Sequence, residues 1–109
     1  MKNKSSIETL KDLMALLRDP KKGCPWDLAQ NSKSLAKYTL EEAYEVVEAI
    51  ENNNSKELKD ELGDLLLQVI YHSVIYKERK KFDIYDVIET SIKKMKLRHP
   101  HIFLNNNSI

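Results

Sequence analysis

The sequence predicts an all-α protein, a bundle of about four helices, and three observations carry that prediction. Leu, Glu, Lys and Ile are abundant while only 2 Gly and 3 Pro interrupt the chain. Apolar residues recur at three- and four-residue steps along most of its 109 residues. No stretch alternates with the period of two that a half-buried strand requires, and no Gly-rich phosphate loop is present.

The first helix follows from Ile7, Leu10, Leu13, Met14 and Leu17, starting at the Ser5/Ser6 cap signal and stopping at Asp19-Pro20. The stretch PKKGCPWDLAQNSKS then holds one Gly and two of the three prolines, so it reads as a loop of about a dozen residues. A second helix is expected from about Ser34 to about Asn52 through Leu35, Leu40, Ala43, Val46, Val47 and Ile50, ending in Asn52-Asn53-Asn54. Ser55 is the expected cap of a third helix running to about Lys80. Glu57 sits in its first turn, where the helix dipole favours an acid. Its residues Leu58, Leu62, Leu65, Leu66, Val69, Ile70, Val74 and Ile75 make it apolar nearly all round, which suits the centre of a bundle. Asp83 is expected to cap a fourth helix through Val87, Ile88, Ile92, Met95 and Leu97, closed by Pro100, and the tail LNNNSI to fray.

The length suits one domain, residues 1–109, with a single modest core. Lys and Arg number 18 against 17 Asp and Glu, a formal charge of +1, so no global field draws the chain to nucleic acid or an anionic membrane. The one basic turn, KKMKLRH, is poor evidence for nucleic-acid binding in so neutral a domain. A single cysteine excludes an internal disulfide framework. With no signal-peptide pattern and no membrane-length apolar run, a cytoplasmic location is expected.

Four acids stand out. Glu42 and Glu45 form one i,i+3 pair on the second helix, Glu61 and Asp64 another on the third, each at the border of an apolar face. Acidic helix faces are ordinarily solvated and carry cations at i±3 or i±4, worth about 0.2–0.5 kcal/mol per pair. Here every such neighbour is neutral or acidic: Tyr38, Thr39 and Val46 around Glu42; Glu41, Glu48 and Ala49 around Glu45; Glu57, Leu58 and Leu65 around Glu61; Asp60, Leu67 and Gln68 around Asp64. Gly63 and Asp64 also disfavour a helix interior, Gly by about 1 kcal/mol relative to Ala. A missing side chain at Gly63 would admit another helix or a ligand. Four carboxylates brought together repel unless a cation neutralises them. Oxygen ligands without Cys or a Glu-x-x-His pair select magnesium, manganese or calcium, and magnesium completes its shell with waters and substrate phosphates.

The order E-x-x-E, fifteen intervening residues, E-x-x-D, written Glu42-Ala43-Tyr44-Glu45 and Glu61-Leu62-Gly63-Asp64, resembles the MazG-like nucleotide pyrophosphohydrolases of the all-α NTP pyrophosphatase superfamily. The likeness extends through LLRDPKKGCPWDLAQ, YTLEEAYEVVEAIE, ELKDELGDLLLQVIYH, FDIYDVIE and LRHPHIF, about residues 7–103, and within that family it is chiefly the N-terminal type of domain. The resemblance implies a magnesium-dependent enzyme, with manganese a second option, cutting a nucleoside triphosphate between the α and β phosphates to the monophosphate and pyrophosphate. It makes Glu42, Glu45, Glu61 and Asp64 the metal ligands and adds Glu41 as a candidate for ligation or water activation. Lys94 and Arg98 match residues that contact the phosphate tail in related domains; their plainer role is to complement the negative end of the last helix.

Trp26 reads equally as a platform for a base, worth about 1–3 kcal/mol where such stacking is measured, or as a loop anchor. Asp27 and Gln30 order that loop or approach the nucleotide. His72 reads as a core or boundary residue, His99 and His101 as helix-end packing, and Cys24 as structural. A lone unit with so apolar a third helix is expected to form a homodimer or higher oligomer with the active site near the interface. The rival reading is a non-catalytic helical dimerisation or regulatory module that retains a metal or nucleotide site.

Overall fold

The computed structural model describes residues 6–104. Ser5 of the expected start signal and residues 105–109 of the expected frayed tail lie outside them. Among the described residues the chain is helical without strands: α1 (Ile7–Leu17), α2 (Pro25–Leu28), α3 (Ser32–Glu51), α4 (Ser55–Glu78), α5 (Ile84–Arg98) and α6 (Pro100–Phe103). The four long helices are the four expected ones, and two single turns are added to them.

Each long helix begins on a side-chain cap. Ser6 accepts from the Thr9 amide at 3.3 Å, and Asn31 and Asp83 form reciprocal capping boxes with Ser34 and Asp86. The second helix therefore starts at Ser32, two residues before the expected position. The cap of α4 is Asn54, not Ser55: Asn53 takes a left-handed φ of 54°, so the following extended residue is Asn54, and its side chain accepts from the Glu57 amide at 3.0 Å. The expected loop contains α2, started by Pro25 at its first position, where a missing amide costs nothing. Gly23 is obligatory there, because a Cβ would collide with the Leu17 carbonyl and the Asp19 backbone. Pro100 follows the end of α5 as expected and opens α6.

Helices α3 and α4 form an antiparallel hairpin, and α1 and α5 pack on α4, which is thus the central helix. The core joins Met14, Leu35, Ile70, Tyr71, Val74, Ile75 and Ile84, so it sits around the second half of α4. The first half of α4 and all of α5 beyond Ile88 have little cover. Leu40, Tyr44 and Val47 on α3, Leu62, Leu66 and Val69 on α4, and Ile92, Met95 and Leu97 on α5 are all exposed. The radius of gyration is 16.5 Å, against about 13 Å for a compact domain of this length. The fold is an open one, with its acid-bearing end outside the core.

Candidate metal centre

The acid-bearing end holds the candidate site. Helix α3 supplies Glu42 and Glu45, α4 supplies Glu61, and one carboxylate oxygen from each lies within 4.8 Å of the others. Glu42 and Glu61 are half-buried, and Oε1 of each is fully covered yet has no hydrogen-bond partner. Covered acceptors without donors are costly, so they point to a missing cation or donor. The electrostatics agree. Burial first, then the charges of Glu45, Asp64 and Glu41, hold the Glu42 carboxyl above its usual range. A hydrogen bond shared with Glu45, then burial and the charges of Glu45, Asp64 and Glu42, push Glu61 up to about 7. The largest influences on these two groups are carboxylates and burial, and no lysine or arginine of the described residues forms an ion pair with them.

Asp64 is not in the tight trio. It is exposed, and it reaches Glu42 and Glu61 through its charge. Glu41 is exposed and likewise raises Glu42. No neighbour within the chain makes a close approach at Gly63: a Cβ there would meet nothing within 4 Å among the described residues. Its glycine is not required by intrachain packing.

Among the described residues neither Lys94 nor Arg98 forms an ion pair with the acids. Both are exposed on α5, which packs on α4, and Lys94 lines a separate open groove of about 470 Å³ with Phe82, Asp86, Val87, Thr90 and Ser91. Trp26 is half-exposed and meets Tyr38, four residues before Glu42, edge-on at 6.0 Å between ring centroids. Its loop is rigidly tied. The Arg18 guanidinium donates to both oxygens of Glu78 at 2.8 and 2.9 Å and to the carbonyls of Asp27 and Gln30. The buried Asp27 carboxylate accepts from the Tyr71 hydroxyl at 2.7 Å, and burial together with that bond raises the Tyr71 phenol well above its ordinary range. Gln30 closes the turn by donating to the Trp26 carbonyl and accepting from Ser34. Asp27 and Gln30 thus order the loop.

Cys24 caps α2 without a side-chain hydrogen bond. His99 bonds the Met95 carbonyl at 2.9 Å and packs on Phe103, the helix-end role expected of it. His72 is half-buried with both ring nitrogens bonded, to Thr39 and Ser32. Neither that arrangement nor the Arg18–Glu78 tie is visible in local spacing, because those partners are 33 to 60 positions apart.

The family model of the MazG nucleotide pyrophosphohydrolase domain matches residues 30–103, which include all four acids and Lys94 and Arg98. The chain belongs to this family. It is 41% identical over 104 residues to the nucleoside triphosphate pyrophosphohydrolase of Escherichia coli K12, covering 95% of this chain and 40% of that protein. It is 49% identical over 97 residues to the nucleoside triphosphate pyrophosphohydrolase/pyrophosphatase MazG of Thermotoga maritima, covering 89% and 38%. With the Mycobacterium tuberculosis nucleoside triphosphate pyrophosphohydrolase the identity is 37% over 97 residues, covering 87% and 30%. The chain therefore spans less than half the length of these relatives. Trp26, Asp27 and Arg18 lie ahead of the matched segment, within the stretch shared with the E. coli protein given its 95% coverage.

Proposed function

We propose that this MazG domain hydrolyses a nucleoside triphosphate, ribo- or deoxyribo-, between the α and β phosphates, giving the monophosphate and pyrophosphate, with magnesium or manganese as cofactor. The observation that carries the reading is the trio of Glu42, Glu45 and Glu61 with two covered oxygens that have no donor. Hard oxygen donors of this kind fit a magnesium-type ion, and the charge they accumulate needs one. When bound, such an ion screens the phosphates and acidifies a water.

The chain's own residues divide the remaining work. Glu42, Glu45 and Glu61 hold the cation, with Asp64 one turn along α4 completing the acid set. Glu41, exposed beside them, is the candidate to accept the proton of the attacking water. Trp26, on its braced loop, offers a half-exposed ring to the base. Lys94 and Arg98 would grip phosphate oxygens, Arg98 as a fork. Because no lysine or arginine of the described residues forms an ion pair with the acids, this assignment asks for a second copy. The exposed apolar stripes of α3, α4 and α5 supply the surface for a homodimer or higher oligomer. Nucleotide substrates imply a cytoplasmic setting; among the described residues no helix is long and apolar enough to cross a membrane.

The same lack of local cations is what a non-catalytic dimerisation or regulatory module would have. One panel separates the two. Purified protein with magnesium is offered the common ribo- and deoxyribonucleoside triphosphates and pyrophosphate release is measured for the wild type, Glu45→Ala and Asp64→Ala. The enzyme reading expects turnover of at least one substrate, lost in both variants. No turnover of any substrate by the wild type leaves the module.

A further inference from the structure

Beside the acid trio, the same two helices are joined by a polar chain that the proposed reaction does not use. Thr39 Oγ1 on α3 lies 2.8 Å from Gln68 Oε1 and 2.8 Å from His72 Nε2, both on α4, and His72 Nδ1 lies 2.9 Å from Ser32 Oγ, back on α3. The proton inventory fixes its direction. The Gln68 carbonyl oxygen only accepts, so the single Thr39 proton goes to it; its 3.3 Å approach to the Leu35 carbonyl is the weaker contact. His72 Nε2–H then donates to Thr39, and Ser32 donates to Nδ1. Burial disfavours the imidazolium, in keeping with the neutral tautomer this requires.

The chain is placed where the helices most need restraint. Glu42 and Glu45 on α3 face Glu61 on α4, and further along the antiparallel pair Thr39 hydrogen-bonds Gln68. Thr39 lies about 4.5 Å along the axis from Glu42, and Gln68 about 6 Å from Asp64. On its far side begins the apolar core, with Leu35 and Ile70 fully buried. Carboxylates at the open end push α3 and α4 apart. Apolar contact resists separation but tolerates sliding and rotation, whereas a satisfied polar chain fixes one register.

We propose that Thr39, with His72 and Gln68, is a positioning clasp that sets the spacing and register of α3 on α4 and so holds Glu42, Glu45 and Glu61 at the separation a divalent cation needs. The proposal rests on the cation reading of the acids. None of the three residues touches the carboxylates; they act through the two helices.

The test uses manganese ion alone, without nucleotide, titrated into wild type, Thr39→Val, Thr39→Ser and Gln68→Met by calorimetry, with metal-free melting of each. The clasp expects Thr39→Val and Gln68→Met to weaken manganese binding about 10-fold, the order seen when outer groups around a metal are removed. Thr39→Ser, which keeps the hydroxyl, should bind within about 2-fold of wild type. Metal-free melting should change by only a few degrees. Lowered melting with unchanged manganese affinity would reduce the chain to ordinary helix packing and overturn the clasp alone. Absence of manganese binding by the wild type would overturn the cation reading and the clasp with it. If Thr39→Val fails to fold, Gln68→Met decides by the same criterion.

Discussion

Glu45 on α3 and Glu61 on α4 bring a carboxyl oxygen each within 4.8 Å of one another and of Glu42, and this crowding favours a proton on Glu61 that the unfolded chain gives up. The folded pKa of Glu61 is about 7 against a reference of 4.5. Between those values the native state binds more protons than the unfolded state, and stability falls as pH rises. Metal-free protein should therefore melt at a higher temperature at pH 5 than at pH 7.5. Saturating magnesium should abolish or invert the difference, because the ion replaces the proton. Glu61→Gln removes the titrating group and should flatten this part of the melting profile. A wild-type profile rising from pH 5 to 7.5 without metal, and identical in Glu61→Gln, would contradict the assigned electrostatics.

The exposed stripes make a second expectation. Leu40, Tyr44 and Val47 recur at i, i+4 and i+7 on α3, and Leu62, Leu66 and Val69 do so on α4. Covering one such side chain fully is worth about 1.5–3 kcal/mol, so six of them form a surface able to sustain a stable dimer. Light scattering should report at least twice the 12.7 kDa of the chain. Leu66→Glu combined with Tyr44→Glu should reduce the mass to that of a monomer and remove turnover, since Lys94 and Arg98 of a second copy would no longer reach the acids. A monomeric wild type that turns over substrate would exclude the shared-site arrangement.

Arg18 offers a test of the loop. Its side chain is only 10% exposed, and it makes four hydrogen bonds, two to Glu78 and two to the carbonyls of Asp27 and Gln30. Glu78 is 44% exposed, so the ion pair itself contributes at most about 1 kcal/mol. The Gln30 carbonyl loses its donor and the Asp27 carbonyl keeps only longer contacts, from the Gln30 amide at 3.3 Å and the Tyr71 hydroxyl at 3.4 Å, so Arg18→Ala should cost about 2 kcal/mol in denaturant unfolding. Arg18→Lys should rescue little, because an ammonium has three donors and no planar fork. Trp26 fluorescence should shift toward that of a fully solvated indole in both variants as the loop loosens.

What could be read in advance follows from where each feature stores its signal. The four long helices store theirs in local periodicity, and the missing i±4 counter-charges around Glu42, Glu45, Glu61 and Asp64 are equally local. The α4 cap was ambiguous because Asn and Ser cap equally well, and the choice depends on Asn53 adopting a left-handed conformation. Helix α2 has four residues, too few for a period, though Pro25 marked its start. Both i,i+3 pairs span the same 60°, yet α3 brings in both of its acids and α4 only Glu61, a difference decided by how each helix is turned toward its partner and not by local spacing. Ser32, Thr39, Gln68 and His72 carry no joint signal until the antiparallel register aligns them.

The two glycines give opposite expectations from one measurement. At Gly23 an added methyl meets backbone atoms of Leu17 and Asp19, which cannot move without breaking the turn closed by the Gly23 amide on Asp19 and the Cys24 amide on Leu17, both at 2.8 Å. Gly23→Ala should therefore destabilise strongly, by about 2 kcal/mol or more. At Gly63 the added methyl meets nothing within 4 Å, and a helix interior prefers Ala by about 1 kcal/mol. Metal-free Gly63→Ala should melt a few degrees higher than wild type under conditions where the protein is monomeric. A fall at high protein concentration alone would show that a second copy approaches α4 at Gly63. A fall in the presence of nucleotide alone would show that the ligand does. A fall at every concentration without ligand would mean that α4 packs more closely there than its exposed backbone indicates.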